Sequence, residues 1–189
     1  MSETKKIAIT GTIGSGKTMV SEYLISKGYD VFNCDLENAK LLLPNNAGYL
    51  KVKEVFPDCF INDELDKAKL AAIVFNDENE KKKLEDIMHP LILAELFKRA
   101  DNPLFAEVPL LFECDWDRYF DMNVLVVSDR DIIIDRLLHR GLTMKDIEGR
   151  MAAQMSVEEK INRADKIIYN NGSLNDMYDN IDYLLSEIL

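Results

Sequence analysis

The sequence predicts an α/β fold built on a parallel sheet, and three observations carry that expectation. Short apolar runs at residues 7–11, 29–33, 103–108, 122–127 and 166–169 read as strands, and helical stretches separate them. The first run passes through three glycines into Lys17-Thr18 at the start of an amphipathic stretch. Between Leu36 and Ala100 the strand signals give way to successive helical periodicities, so a helical block is inserted after the second strand.

The first element is Ile7-Ala8-Ile9-Thr10-Gly11-Thr12-Ile13-Gly14-Ser15-Gly16-Lys17-Thr18. Gly11 to Thr18 fits G-x-x-x-x-G-K-[ST] between a strand and a helix, where glycines let successive backbone N–H groups turn inward around a polyphosphate. The helix N-terminus adds partial positive charge. Lys17 is expected to reach the outer phosphates of ATP, and the Thr18 hydroxyl to ligate Mg2+. The bland alternative is a strand-to-helix turn with Lys17 solvated in the first turn.

Residues 18–27 set Met19, Val20, Tyr23 and Leu24 on one helical face, and Gly28 ends that helix. Tyr29 to Asn33 forms the second strand, completing a βαβ unit whose strands are parallel. Helices follow around Leu41–Leu43, Tyr49–Phe56, Leu65–Phe75 and from about Asn79 to Arg99, with Pro44 and Pro57 as loop markers and Pro90 as a helix start or kink. The third strand leads into Pro109-Leu110-Leu111-Phe112-Glu113. The fourth is almost wholly apolar, as a strand covered on both faces should be. A helix over 129–139 carries Arg136 and Arg140 on one face, residues 143–163 are charged and helical, and the fifth strand turns at Asn170-Asn171-Gly172 into a closing helix over 174–188. The expected organisation is a core of residues 1–35, 101–140 and 164–189, a substrate-binding insertion of 36–100 and a lid of 141–163.

Composition excludes several classes. With 34 acidic against 23 basic residues, net −11, the chain lacks the broad positive field that nucleic acids and anionic membranes require. Cys34, Cys59 and Cys114 show neither disulfide nor zinc spacing. No signal peptide or membrane span is visible, so a cytoplasmic protein, with a monomer as the default, is expected.

Asp35 stands just past the second strand's carboxyl end, where ligands bind in open α/β sheets, so it can orient and deprotonate a phosphoryl acceptor. It can equally be a residue that starts the next helix. Arg136, Arg140, Arg150 and Arg163 flank the predicted lid, and a guanidinium on a closing lid neutralises transition-state charge. Helical ion pairs such as Asp135 with His139 are the plainer explanation for most of these residues, while Arg140, at the helix end entering the lid, is the functional candidate. His89 is read as a structural hydrogen-bond partner without a catalytic role.

Taken together, these segments resemble the dephospho-coenzyme A kinases. The resemblance runs through Thr10-Gly11-x-Ile13-Gly14-Ser15-Gly16-Lys17-Thr18, Asp35, Leu84-Glu85-Asp86-Ile87-Met88-His89-Pro90-Leu91-Ile92 and Pro109-Leu110-Leu111-Phe112-Glu113. It continues through Arg136-x-x-x-Arg140, Gln154, Ala164-Asp165 and Asn170-Asn171-Gly172, nearly the whole chain. It implies a P-loop NTPase-like three-layer core with a five-stranded parallel sheet, a helical substrate-binding insertion and a helical lid. It also implies transfer of the ATP γ-phosphoryl group to the 3′-hydroxyl of dephospho-CoA. By resemblance Thr10, Gly11, Ile13, Gly14, Ser15, Gly16, Lys17, Thr18 and Asn170 contact nucleotide. Asp35, Lys17 and Arg140 are catalytic, and Asp35, His89 and Leu110 face the acceptor. The chain departs from the family pattern at Asn33, where an Asp is usual, at Lys67 for Arg, at Glu107 for Asp, and in a shorter segment after Arg140. A nucleoside monophosphate kinase, or a non-catalytic ATP-binding paralogue, is the alternative reading.

Overall fold

The computed structural model of the protein describes residues 4–188. It has two compact units, one made of residues up to Asn33 and from Asp101 onward, the other of Cys34–Ala100. In chain order, β1 (Lys6–Gly11), α1 (Lys17–Ser26) and β2 (Val31–Asn33) open the first unit. The second unit follows as α2 (Cys34–Leu41), α3 (Ala47–Val55), the short strands β3 (Phe60–Ile61) and β4 (Glu64–Leu65), α4 (Lys67–Asn76) and α5 (Glu78–Phe97). The chain returns to the first unit with β5 (Leu104–Glu107), β6 (Met122–Val127) and α6 (Arg130–His139). It ends with α7 (Met144–Ala152), α8 (Val157–Arg163), β7 (Lys166–Tyr169) and α9 (Leu174–Ile188).

The five strands of the first unit form one sheet in the order β2-β5-β1-β6-β7, every neighbouring pair parallel. β1, β5 and β6 are buried almost end to end, which accounts for their continuous apolar runs. Alternation sorts their residues: Ile7, Ile9, Phe105, Val124, Val126 and Ile168 join Val20 and Leu24 of α1 and Met177, Ile181 and Leu184 of α9 in one apolar cluster. Tyr23 of α1 stacks on Tyr178 of α9 with ring centroids 4.0 Å apart. Parallel register sets Asn33 opposite Glu107, and Ile9 opposite both Glu107 and Val124, so Asn33 and Glu107 end their strands side by side.

The stretch after α6, expected to be charged and helical, forms two helices. Thr143 and Ser156 each start one through a capping box, with Asp146 and Glu159 as the reciprocal acceptors.

In the second unit the expected all-helical character needs one correction. Phe60–Ile61 pairs with Glu64–Leu65 as an antiparallel hairpin. Its two central residues, Asn62 and Asp63, have φ of 51° and 65°, the backbone of a tight primed turn that Asn and Asp tolerate. Strands this short have no readable alternation, which is why the sequence did not announce them. The hairpin is tied to α3 by an ion pair of Lys53 with Asp63 at 2.6 Å and by the Tyr49 hydroxyl donating to the Asp63 carbonyl. Pro90 lies inside α5 and starts no helix. Among the described residues no helix is long and apolar enough to cross a membrane.

Candidate active site

The loop between β1 and α1 is shaped by its glycines. Gly14 and Gly16 have φ of 76° and 107°, open to glycine and strained for other residues. A Cβ on Gly16 would stand 2.1 Å from Asn170 Nδ2, and one on Gly14 would stand 3.0 Å from Ile133 Cγ2. Lys17 Nζ donates to the Gly11 and Thr12 carbonyls at 2.9 Å each, which draws the ammonium back over the entry to the loop. Ser15 is fully buried, and its hydroxyl has no hydrogen-bond partner among the described residues.

Below α1, Glu107 gathers three donors that sequence reasoning did not bring together. The buried carboxylate accepts from Ser21 Oγ at 2.7 Å, Asn33 Nδ2 at 3.2 Å and Thr18 Oγ1 at 3.4 Å. Strand register is the cause, since Asn33 and Glu107 are paired positions on β2 and β5. The contact turns the Thr18 proton toward Glu107 and leaves the hydroxyl lone pairs for a hard cation. That donor chemistry fits Mg2+, which prefers oxygen ligands and shares its sphere with phosphates and water.

The far side of the loop rests on a second network. Arg136 Nη1 donates to Ser128 Oγ at 3.0 Å and Gly14 O at 3.4 Å, while Nη2 donates to Asn170 O at 3.0 Å. Asn170 Nδ2 donates to Ser15 O at 2.9 Å. Burial lowers the Arg136 pKa from its ordinary value, and the charge of Arg140 lowers it further. Asn170 is thus built into the floor of the loop, and Arg136 supports that floor.

The remaining candidates fall in separate places. Thr10 lies within β1, buried, its hydroxyl 3.4 Å from Pro109 O. Ile13 packs on Ile133, Leu137 and Ile147, and Leu110 is exposed a few residues after β5. Arg140 is exposed at the end of α6, beside Gly141, whose φ of 85° closes that helix. Asp35 and His89 belong to the second unit. Asp35 is in the first turn of α2, where a carboxylate also suits the helix dipole, and only Cys34 separates it from Asn33 of the sheet. Burial lowers the His89 pKa, against the opposing charges of Glu85 and Asp86. Lys67 begins α4, which Asp66 caps by accepting from Lys69 N at 2.9 Å.

Of the arginines that flank residues 141–163, Arg163 is committed to structure. It binds Asp117 through contacts of 2.8 and 2.9 Å, Asp115 at 2.9 Å and Phe112 O at 2.9 Å. Fully buried Lys160 lies 2.7 Å from Glu113 Oε1. These pairs fasten α8 to the segment after β5.

A family model described as dephospho-CoA kinase matches residues 5–176. The chain belongs to the dephospho-CoA kinase family. This kinase is 37% identical over 180 residues to the dephospho-CoA kinase of Geobacillus kaustophilus, covering 90% of each chain. It is 36% identical over 187 residues to that of Thermus thermophilus, covering 96% of this chain and 91% of the relative. A crystal structure of a Thermus thermophilus protein superposes with a TM-score of 0.88 at 34% identity over 100% of both chains. The dephospho-CoA kinase of Campylobacter jejuni gives 0.71 at 26% identity over 98% of both. Shikimate kinase from Acinetobacter baumannii, 15% identical with a TM-score of 0.60 over 98% of this chain and 93% of its own, shares the P-loop kinase-like fold alone.

Proposed function

We propose that this kinase transfers the γ-phosphoryl group of ATP to the 3′-hydroxyl of dephospho-CoA, giving CoA and ADP in the last step of coenzyme A biosynthesis. Family membership over residues 5–176 carries the substrate pair, and the glycine cradle ending in Lys17-Thr18 supports the reaction type. The amides between Gly14 and Thr18 grip the phosphates, and Lys17 leaves its carbonyl partners for the outer phosphate oxygens. Asn170 keeps the loop floor in place beside the nucleotide. Asp35 takes the proton of the 3′-hydroxyl as its oxygen attacks the γ-phosphorus and the bond to ADP breaks. Arg140 closes over the spreading negative charge with the 141–163 lid. Leu110 and His89 line the acceptor side. Mg2+, held by Thr18 with Glu107 behind it, shields phosphate charge when bound. The kinase works as a cytoplasmic monomer without nucleic-acid or membrane partners.

The test is Asp35→Asn assayed with ATP and dephospho-CoA. Turnover should fall roughly a hundredfold or more, as for loss of a general base, with ATP affinity kept. Comparable turnover would remove Asp35 from the mechanism. CoA formation should also exceed phosphorylation of AMP, CMP or dTMP by the same preparation, and the reverse preference would defeat the acceptor assignment.

A further inference from the structure

Within the loop, Ile13 gives its backbone N–H to a side chain far along the chain, Gln154 Oε1, at 3.0 Å. Both ends of this contact are held. The Ile13 side chain is packed into the α6–α7 cluster with Ile133, Leu137 and Ile147. Gln154 sits in the turn after α7, where its own N–H reaches Met151 O at 3.2 Å. Next in the chain, Met155 N donates to Glu113 Oε1 at 3.1 Å, and the same oxygen meets buried Lys160. The amide oxygen of Gln154 is therefore delivered to the loop by an anchored segment.

Location decides what this contact can do. Lys17, which serves the outer phosphates, rests its ammonium on Gly11 O and Thr12 O, immediately before Ile13. The Ile13 end of the loop is thus its outer-phosphate end. We propose that Gln154 is a positioning residue for phosphoryl transfer. It accepts the Ile13 N–H and so keeps the outer end of a glycine-rich loop in the one shape that aligns the γ-phosphate. The inference rests on the kinase reading above, and Gln154 acts through Ile13 without touching substrate. Such preorganisation lowers the barrier because the loop no longer has to order itself at the moment of transfer.

The γ-phosphate is what ATP has and ADP lacks, so the two nucleotides separate positioning from plain stability. Gln154→Met keeps the length of the side chain and removes the acceptor. It should lower kcat roughly tenfold, the scale of one lost hydrogen bond, and weaken magnesium–ATP binding while ADP binding stays within about twofold. The Ile13 amide resonance should shift, and the melting temperature should stay near that of the wild type. Wild-type kcat and ATP affinity in Gln154→Met would overturn the proposal. Equal losses for ATP and ADP with a lowered melting temperature would overturn it too, marking a structural tie only. The isotherms need no acceptor, so absence of dephospho-CoA turnover in the wild type would defeat the proposed reaction and leave this test standing.

Discussion

At the residue scale, Asn33 and Glu107 form the contact whose chemistry is most exposed to substitution. An amide donates to a buried carboxylate at 3.2 Å, and that carboxylate also orders Ser21 and Thr18. Asn33→Asp would set two carboxylates in that space, and one of them would keep its proton well above the ordinary range. The folded state would then bind more protons than the unfolded state, so its stability falls as pH rises. Chemical denaturation should show Asn33→Asp losing roughly 1–3 kcal/mol more, relative to wild type, at pH 8 than at pH 5. A pH-independent difference would mean that the two side chains do not interact.

At the scale of elements, α8 is defined by what it is fastened to. A fully buried lysine facing a carboxylate is a poor source of net stability, yet removing one partner strands the other. Lys160→Met should therefore cost roughly 3 kcal/mol in urea denaturation, and adding Glu113→Gln should restore most of it. A double variant as unstable as the single one would show that the loss is shape, not charge. The elements also divide by legibility. The five strands, the loop and the helices after them were readable because glycine conformation, apolar runs and capping act within a few residues. The hairpin at Asn62-Asp63 was not, because two-residue strands have no period. Glu107 looked like a simple departure from a family pattern until β2–β5 register gave it Asn33, and Gln154 was only a motif residue until folding brought it 3.0 Å from Ile13. Contacts across 74 and 141 positions leave no local trace.

At the scale of the molecule, the sheet order puts β1, the first strand in the chain, between β5 and β6. Its apolar face is closed by α9, the last helix, through Met177, Ile181, Leu184 and Ile188. The phosphate loop leaves the end of that strand, so its shape depends on the far end of the chain. A version ending at Ser173 should fail to bind ATP at concentrations that saturate the full chain, measured by calorimetry. Retained binding would mean that the loop is ordered by its own sequence.

That dependence has a consequence for synthesis in the cell. A ribosome delivers Gly11 to Thr18 long before Met177 to Ile188, the residues that close over β1. The nascent polypeptide thus carries its nucleotide motif on a strand whose apolar face stays uncovered until α9 has been made.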